Sequence, residues 1–221
     1  MATMTRILAI ADETSPALSV RKIREIAPDL VVSCGDLPFS YLDYVASAAN
    51  KPLVFVPGNH DPSLKPNPHV IGTATRFRAD WNEQRGPIGG TNLDGQIVED
   101  SGLTLACLGG SIRYRPGDNQ YTESEMRLRV AQLEAKWWLR RMRRRRRVDV
   151  LATHSPPRHL GDMSDAAHRG FTSFRGLIER MRPQIVLHGH IHPHGFDKPD
   201  RVHASSKIIN VVPYRVIEVP P

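Results

Sequence analysis

Cysteine is scarce in this chain: two in 221 residues, Cys34 and Cys107, both inside apolar, strand-like runs. That excludes a disulfide framework and predicts buried, reduced thiols. Long apolar runs are missing too. None reaches the roughly 18 residues that a bilayer-spanning helix needs, so no membrane partner is expected. The first stretch, MATMTRILAIADE, turns acidic after a few apolar residues. It is too short for the apolar core of a secretion signal, which predicts a cytoplasmic protein. Repeats are absent, and so is low complexity outside one basic segment. A net excess of positive charge is also missing elsewhere: formal net charge is +7, but the segment from Arg140 to Arg147 alone holds seven arginines. The remainder is formally neutral, which argues against a generally nucleic-acid-binding surface.

What is present is an ordinary globular composition, 40% apolar and 24% charged, which excludes a mainly disordered or collagen-like chain. A chain of this size buries roughly 70–75% of its unfolded surface and needs no disulfide or oligomer for stability. A single domain over residues 1–221 is expected. β-Branched apolar runs predict strands over 6–11, 30–34, 53–56, 96–99, 103–108, 148–153, 184–187, 207–211 and 214–219. Ser15-Pro16 reads as the start of a first helix. A second is announced by the capping box Thr122-Glu123-Ser124-Glu125 and by Met126, Val130, Leu133 and Trp137 on one face. A third fits 171–181, before Pro183. The alternation predicts a mixed α/β sandwich. Residues 62–95, rich in Pro and Gly, read as a long loop that serves as a functional lid or holds small elements of its own.

The informative pattern lies at the strand ends. ILAIA runs into Asp12, LVVSC into Gly35-Asp36, and LVFVP into Gly58-Asn59-His60-Asp61. VLA runs into Thr153-His154, and IVL into His188-Gly189-His190-Ile191-His192, with His194 beyond. Ligands bind beyond the carboxyl ends of strands in open α/β sheets, so all five sets would converge there. Mixed carboxylate, amide and imidazole ligands suit Mn, Fe, Zn or Co. Asp36, with two separate oxygens, is the natural bridge between two metals, which together clamp a phosphoryl group and activate a water. Glycines beside the ligands allow sharp turns and close approach. Any one Asp or His at a strand end is an ordinary turn residue; five sets in this order are not.

These motifs, from Ile7 to about His194, resemble the successive motifs of the calcineurin-like metallophosphoesterases. The resemblance implies a four-layer αββα sandwich of two mixed sheets flanked by helices. It also implies a two-metal centre, manganese favoured, that hydrolyses phosphomono- or phosphodiesters with a metal-activated water. By position, one metal would take Asp12, Asp36 and His192, and the other Asp36, Asn59, His154 and His190. Asn59 and His60 would meet the phosphate, with His60, oriented by Asp61, protonating the leaving oxygen. The family usually carries Asp-x-His at its first motif, whereas this chain has Asp12-Glu13-Thr14. A hydroxyl binds a divalent cation less well than an imidazole, so the Asp12 site is expected to be the weaker.

Other residues have two readings each. The run from Arg140 to Arg147 is a solvated helix end or an anion-attracting patch for nucleic acid. Trp137 lies on the apolar stripe and is expected in the core rather than stacked on a base. Arg113, after Gly109-Gly110, is a turn residue or a phosphate ligand, and His168 and Arg169 are candidate substrate contacts. The expected function is a metal-dependent phosphohydrolase acting on a small phosphorylated substrate, in a pocket formed by loops such as 62–95 and 109–122. A nuclease, or a degenerate non-catalytic metal- or nucleotide-binding module, are the alternatives.

Overall fold

Runs of valine, leucine and isoleucine fold here as strands buried on both faces, which is why they read as continuous rather than alternating. The computed structural model describes residues 4–62, 64, 86–144, 147–193 and 199–220. Its first half comprises β1 (Thr5–Ile10), α1 (Val20–Ile26), β2 (Leu30–Ser33), α2 (Phe39–Ala49), β3 (Leu53–Phe55), β4 (Gly90–Asn92) and β5 (Ile97–Asp100). It continues through β6 (Leu103–Leu108), β7 (Ser111–Ile112), β8 (Gln120–Tyr121), α3 (Glu123–Arg144), β9 (Val150–Thr153) and α4 (Thr172–Met181). The last strands are β10 (Ile185–His188), β11 (Arg201–His203), β12 (Ser206–Asn210) and β13 (Tyr214–Val219).

Two large sheets result, ordered β13-β1-β2-β3-β4 and β11-β12-β10-β9-β6-β5, with β7 and β8 paired separately. Strands β1, β2, β3 and β4 run parallel, as do β6, β9, β10 and β12, while β13, β5 and β11 are antiparallel edges. Between the sheets lies a core of Ile7, Val32, Val54, Leu105, Val150 and Leu187, among others. The outer face of the first sheet packs with Ile23, Leu42 and Val45 of α1 and α2. The outer face of the second packs with Met126, Val130, Leu133 and Trp137 of α3 and with Phe174, Leu177 and Ile178 of α4. This is the expected four-layer αββα sandwich. Both cysteines are free and fully buried in it, and burial pushes their thiols up.

The local expectations hold where side chains state them. The capping box forms: Thr122 N–H donates to Glu125 Oε2 at 2.7 Å, and Glu125 N–H to Thr122 Oγ1 at 3.2 Å. The first helix starts later than expected, with Ser19 rather than Ser15 as its cap, accepting from Lys22 N–H at 3.2 Å. Residues 63, 65–85 and 194–198, including most of the predicted 62–95 loop and His194, lie outside the described residues.

Candidate metal centre

Parallel pairing brings the carboxyl ends of β1, β2, β3, β9 and β10 to one edge of the sandwich. Backbone bonds tie these ends across: Asp12 N–H donates to Gly35 O, and Gly189 N–H to His154 O, each at 3.0 Å. The turns are tight. Asp12, Asp36 and His190 all adopt positive φ, 61°, 57° and 67°, a region that side chains other than glycine occupy at a cost. Gly58 and Gly189 are needed for closeness, since a Cβ on either would run into the carboxylate of Asp36 or Asp12 respectively.

One ligand atom each from Asp12, Asp36, His154 and His190 falls within 4.8 Å of the others. His154 is at the centre: its Nε2 lies 3.1 Å from Asn59 Oδ1, 3.1 Å from His190 Nδ1 and 3.3 Å from Asp36 Oδ2. Its Nδ1 donates to Cys34 O at 2.7 Å, and His190 Nε2 donates to Ala167 O at 2.8 Å. These carbonyls turn Nε2 of His154 and Nδ1 of His190 towards each other, and nothing in the sequence signalled them. His192 stands on the other side, with Nε2 3.8 Å from Asp12 Oδ1 and Nδ1 donating to Glu13 Oε1 at 2.7 Å.

The electrostatics ask for a cation. Burial pushes the Asp12 carboxyl up to about 6, against the pull of His154. Burial also opposes ionisation of Asp36, but His154 and the N–H of His60 outweigh it and hold that carboxyl at about 2. His154 is buried, yet Asp36 and Asp12 raise it to about 9, while burial and His154 hold His190 at about 3. Two imidazole nitrogens 3.1 Å apart beside two carboxylates repel unless a positive charge lies among them. A divalent ion with ligands at about 2.0–2.2 Å places neighbouring donors about 3 Å apart, the spacing found here. The donor set therefore fits a divalent metal. The buried Asn59 Nδ2, which has no hydrogen-bond partner among the described residues, leaves the Asn59 oxygen as the atom turned to the cluster.

Of the other predicted residues, Asp61 is placed differently. Its carboxylate accepts from Gly58 N–H at 2.8 Å and Asp36 N–H at 2.9 Å, so it holds the loop backbone and makes no hydrogen bond to the His60 imidazole. Burial raises its pKa. His60 is exposed at the mouth, with its N–H donating to Asp36 Oδ1 at 2.8 Å. The His168 ring lies 5.4 Å from the His190 ring, tilted by 44°, and contacts Asp165 at 2.9 Å; Arg169 beside it is exposed. Arg113 is not in the site. Its guanidinium joins Gln120 O at 3.1 Å and Glu125 at 2.9 Å, clasping the β8 turn to the start of α3. Glu13, the carboxylate next to the missing histidine, stands behind His192 at 2.7 Å.

Comparison with known proteins agrees with this geometry. The chain matches the sequence profile of the calcineurin-like phosphoesterases over residues 6–194. No functionally curated protein matches it. Among solved structures, one crystal structure superposes with a TM-score of 0.61 at 15% identity, covering 99% of each chain. TT1561 of Thermus thermophilus superposes with a TM-score of 0.60 at 17% identity, over 95% of this chain and 89% of its own. At such identities the likeness is one of fold.

Proposed function

Because the chain belongs to the calcineurin-like phosphoesterase family, we propose that it hydrolyses mono- or diesters of phosphate on small molecules in the cytoplasm, using two divalent metals, manganese favoured. The observation that carries this reading is the convergence of Asp12, Asp36, His154 and His190 within 4.8 Å at the strand ends. Asp36, Asn59, His154 and His190 would hold one ion; Asp12, Asp36 and His192 the other. Such a pair supplies charge to polarise the phosphoryl oxygens and lower the pKa of a water.

The chain's own residues do the rest. Asp36 is fixed by the His60 N–H at Oδ1, while its Oδ2 lies 3.3 Å from His154 Nε2 among the residues that would hold the ions. Asp61 pins the two loops that carry Asp36 and Asn59. The exposed His60 imidazole would contact the phosphoryl group and give a proton to the leaving oxygen, with His168 and Arg169 as further substrate contacts. Arginine-led nuclease activity is not supported, because the run from Arg140 precedes β9 and His154 follows it, at opposite ends of that strand.

Hydrolysis of a generic aryl phosphate diester with and without Mn²⁺ is the test. Asp36→Asn should lower turnover by at least about 10³-fold with folding retained. A folded Asp36→Asn protein with near-normal turnover, or a wild type indifferent to metal, would remove the two-metal reading.

A further inference from the structure

Helix α3 carries two apolar faces. One, Met126, Val130, Leu133 and Trp137, is buried against the second sheet. The other consists of Leu128, Ala131, Ala135, Trp138, Leu139 and Met142, all exposed. These step by three, four, three, one and three residues, which keeps them on a single face roughly opposite the first. The large members are open to solvent: Leu128 61%, Trp138 60%, Leu139 61% and Met142 76%. Single exposed leucines are ordinary; a stripe of this length on one helix is not.

The charges beside the stripe are all of one sign. The three acids of α3 turn back to the protein. Glu123 accepts from Thr172 N–H at 3.0 Å and Ser173 N–H at 2.7 Å, Glu125 pairs with Arg113, and Glu134 with Arg180 at 2.5 Å. Arg127 and Arg141 are exposed and pair with no acid among the described residues; Arg141 only lies over the Trp137 ring at 5.3 Å. The sequence stays arginine from 143 to 147, so the net +7 of the chain is gathered at this end of the helix.

We propose that the exposed face of α3 is a docking surface for an anionic lipid bilayer, which the helix meets lying flat, with Trp138, Leu139 and Met142 in the headgroup boundary. An apolar stripe bordered by cations, with tryptophan at its centre, has the chemistry of an interfacial helix. Cations beside it gain from the negative surface potential of a cytoplasmic leaflet. The competing occupants fit less well. A nucleic-acid backbone would satisfy the arginines and leave the stripe against phosphates and water. A second copy would cover the stripe while bringing two +7 chains together. A partner that wraps an entire helix needs the face already buried. The inference concerns a surface contact and requires no spanning segment; no helix among the described residues is long and apolar enough to cross a membrane.

The test is co-sedimentation of the full chain with phosphatidylcholine vesicles, with and without phosphatidylglycerol. Binding is expected only to the anionic vesicles, weakening as salt is added. The triple variant Trp138→Ser, Leu139→Ser, Met142→Ser alters exposed side chains only and should bind about a hundredfold more weakly, with its melting temperature kept. Arg127→Gln with Arg141→Gln should weaken binding by about tenfold or more, and tests the surface independently should the triple variant misfold. Failure to bind anionic vesicles would overturn the proposal, as would a folded triple variant that binds like the wild type. So would duplex DNA binding, or a concentration-dependent dimer, in place of vesicle binding.

Discussion

His192 stands beside the candidate metal centre, braced by a neighbour. Its Nδ1–H donates to Glu13 Oε1 at 2.7 Å, and this leaves Nε2 as the lone-pair nitrogen on the side of Asp12. Thr14, where the family usually carries histidine, is exposed. A carboxylate behind a metal-binding imidazole fixes its tautomer and raises its basicity, and losing it typically weakens metal binding about 10–100-fold. Glu13→Ala should weaken the Asp12 site by that factor and leave the site around His154 unchanged. Metal content after dialysis, or a two-step calorimetric titration, reads this directly. Equal retention at both sites in Glu13→Ala would show that His192 needs no such support. The candidate ligands were legible because each comes after an apolar strand in a fixed chain order. The carbonyls of Cys34 and Ala167 were not, since any residue supplies a carbonyl and only the fold aims it. Arg113 misled for a related reason: a guanidinium after a glycine pair suits a phosphate, and here Glu125 claims it.

Elements were readable in proportion to how much their own side chains state their ends. The apolar stripe of α3 and its capping box, Thr122 with Glu125, both form as expected. The cap of α1 went to Ser19 instead of Ser15 because both serines precede a helix-compatible stretch and only Ser19 can reach Lys22 N–H. Helix α2 was not foreseen, since Pro38 at its cap offers no side-chain acceptor. Strands β4, β7, β8 and β11 are two or three residues long, too short for any periodicity. The α3 cap supports a test at this scale. Glu125 also holds Arg113, so the box joins the helix to the β8 turn. Thr122→Ala should cost about 1 kcal/mol of stability, read as a lower urea midpoint with unchanged slope. No shift in the midpoint would show that the backbone satisfies the helix start without this side chain.

At the scale of the whole molecule, a buried cluster of charges lies at one edge of two sheets built from different chain segments. In the metal-free chain a proton on His154 must hold it together, and that makes stability depend on pH in a definite direction. Burial favours a neutral His154, but Asp36 and Asp12 raise it to about 9, against an unfolded value of about 6.5. The folded state therefore keeps a proton that the unfolded state releases, and stability falls as pH rises from about 6.5 through 9. Other groups touch only the edges of this window: Asp12 finishes ionising at its lower end, and the buried thiols of Cys34 and Cys107, pushed up by burial, add the same sign at its upper end. Asp36, at about 2, is ionised throughout it, and His188 and His190, at about 4 and 3, are neutral throughout it. Chelator-treated protein should thus lose a few kcal/mol across the window, seen as a steadily falling melting temperature. With Mn²⁺ in excess the sign should reverse, because metal binding requires the ligands deprotonated and its contribution grows as the proton leaves. Thermal melts at a series of pH values, with chelator and with Mn²⁺, give both slopes. A flat profile in chelator would mean that the cluster is held without the His154 proton, and that the two imidazoles are separated in the metal-free chain.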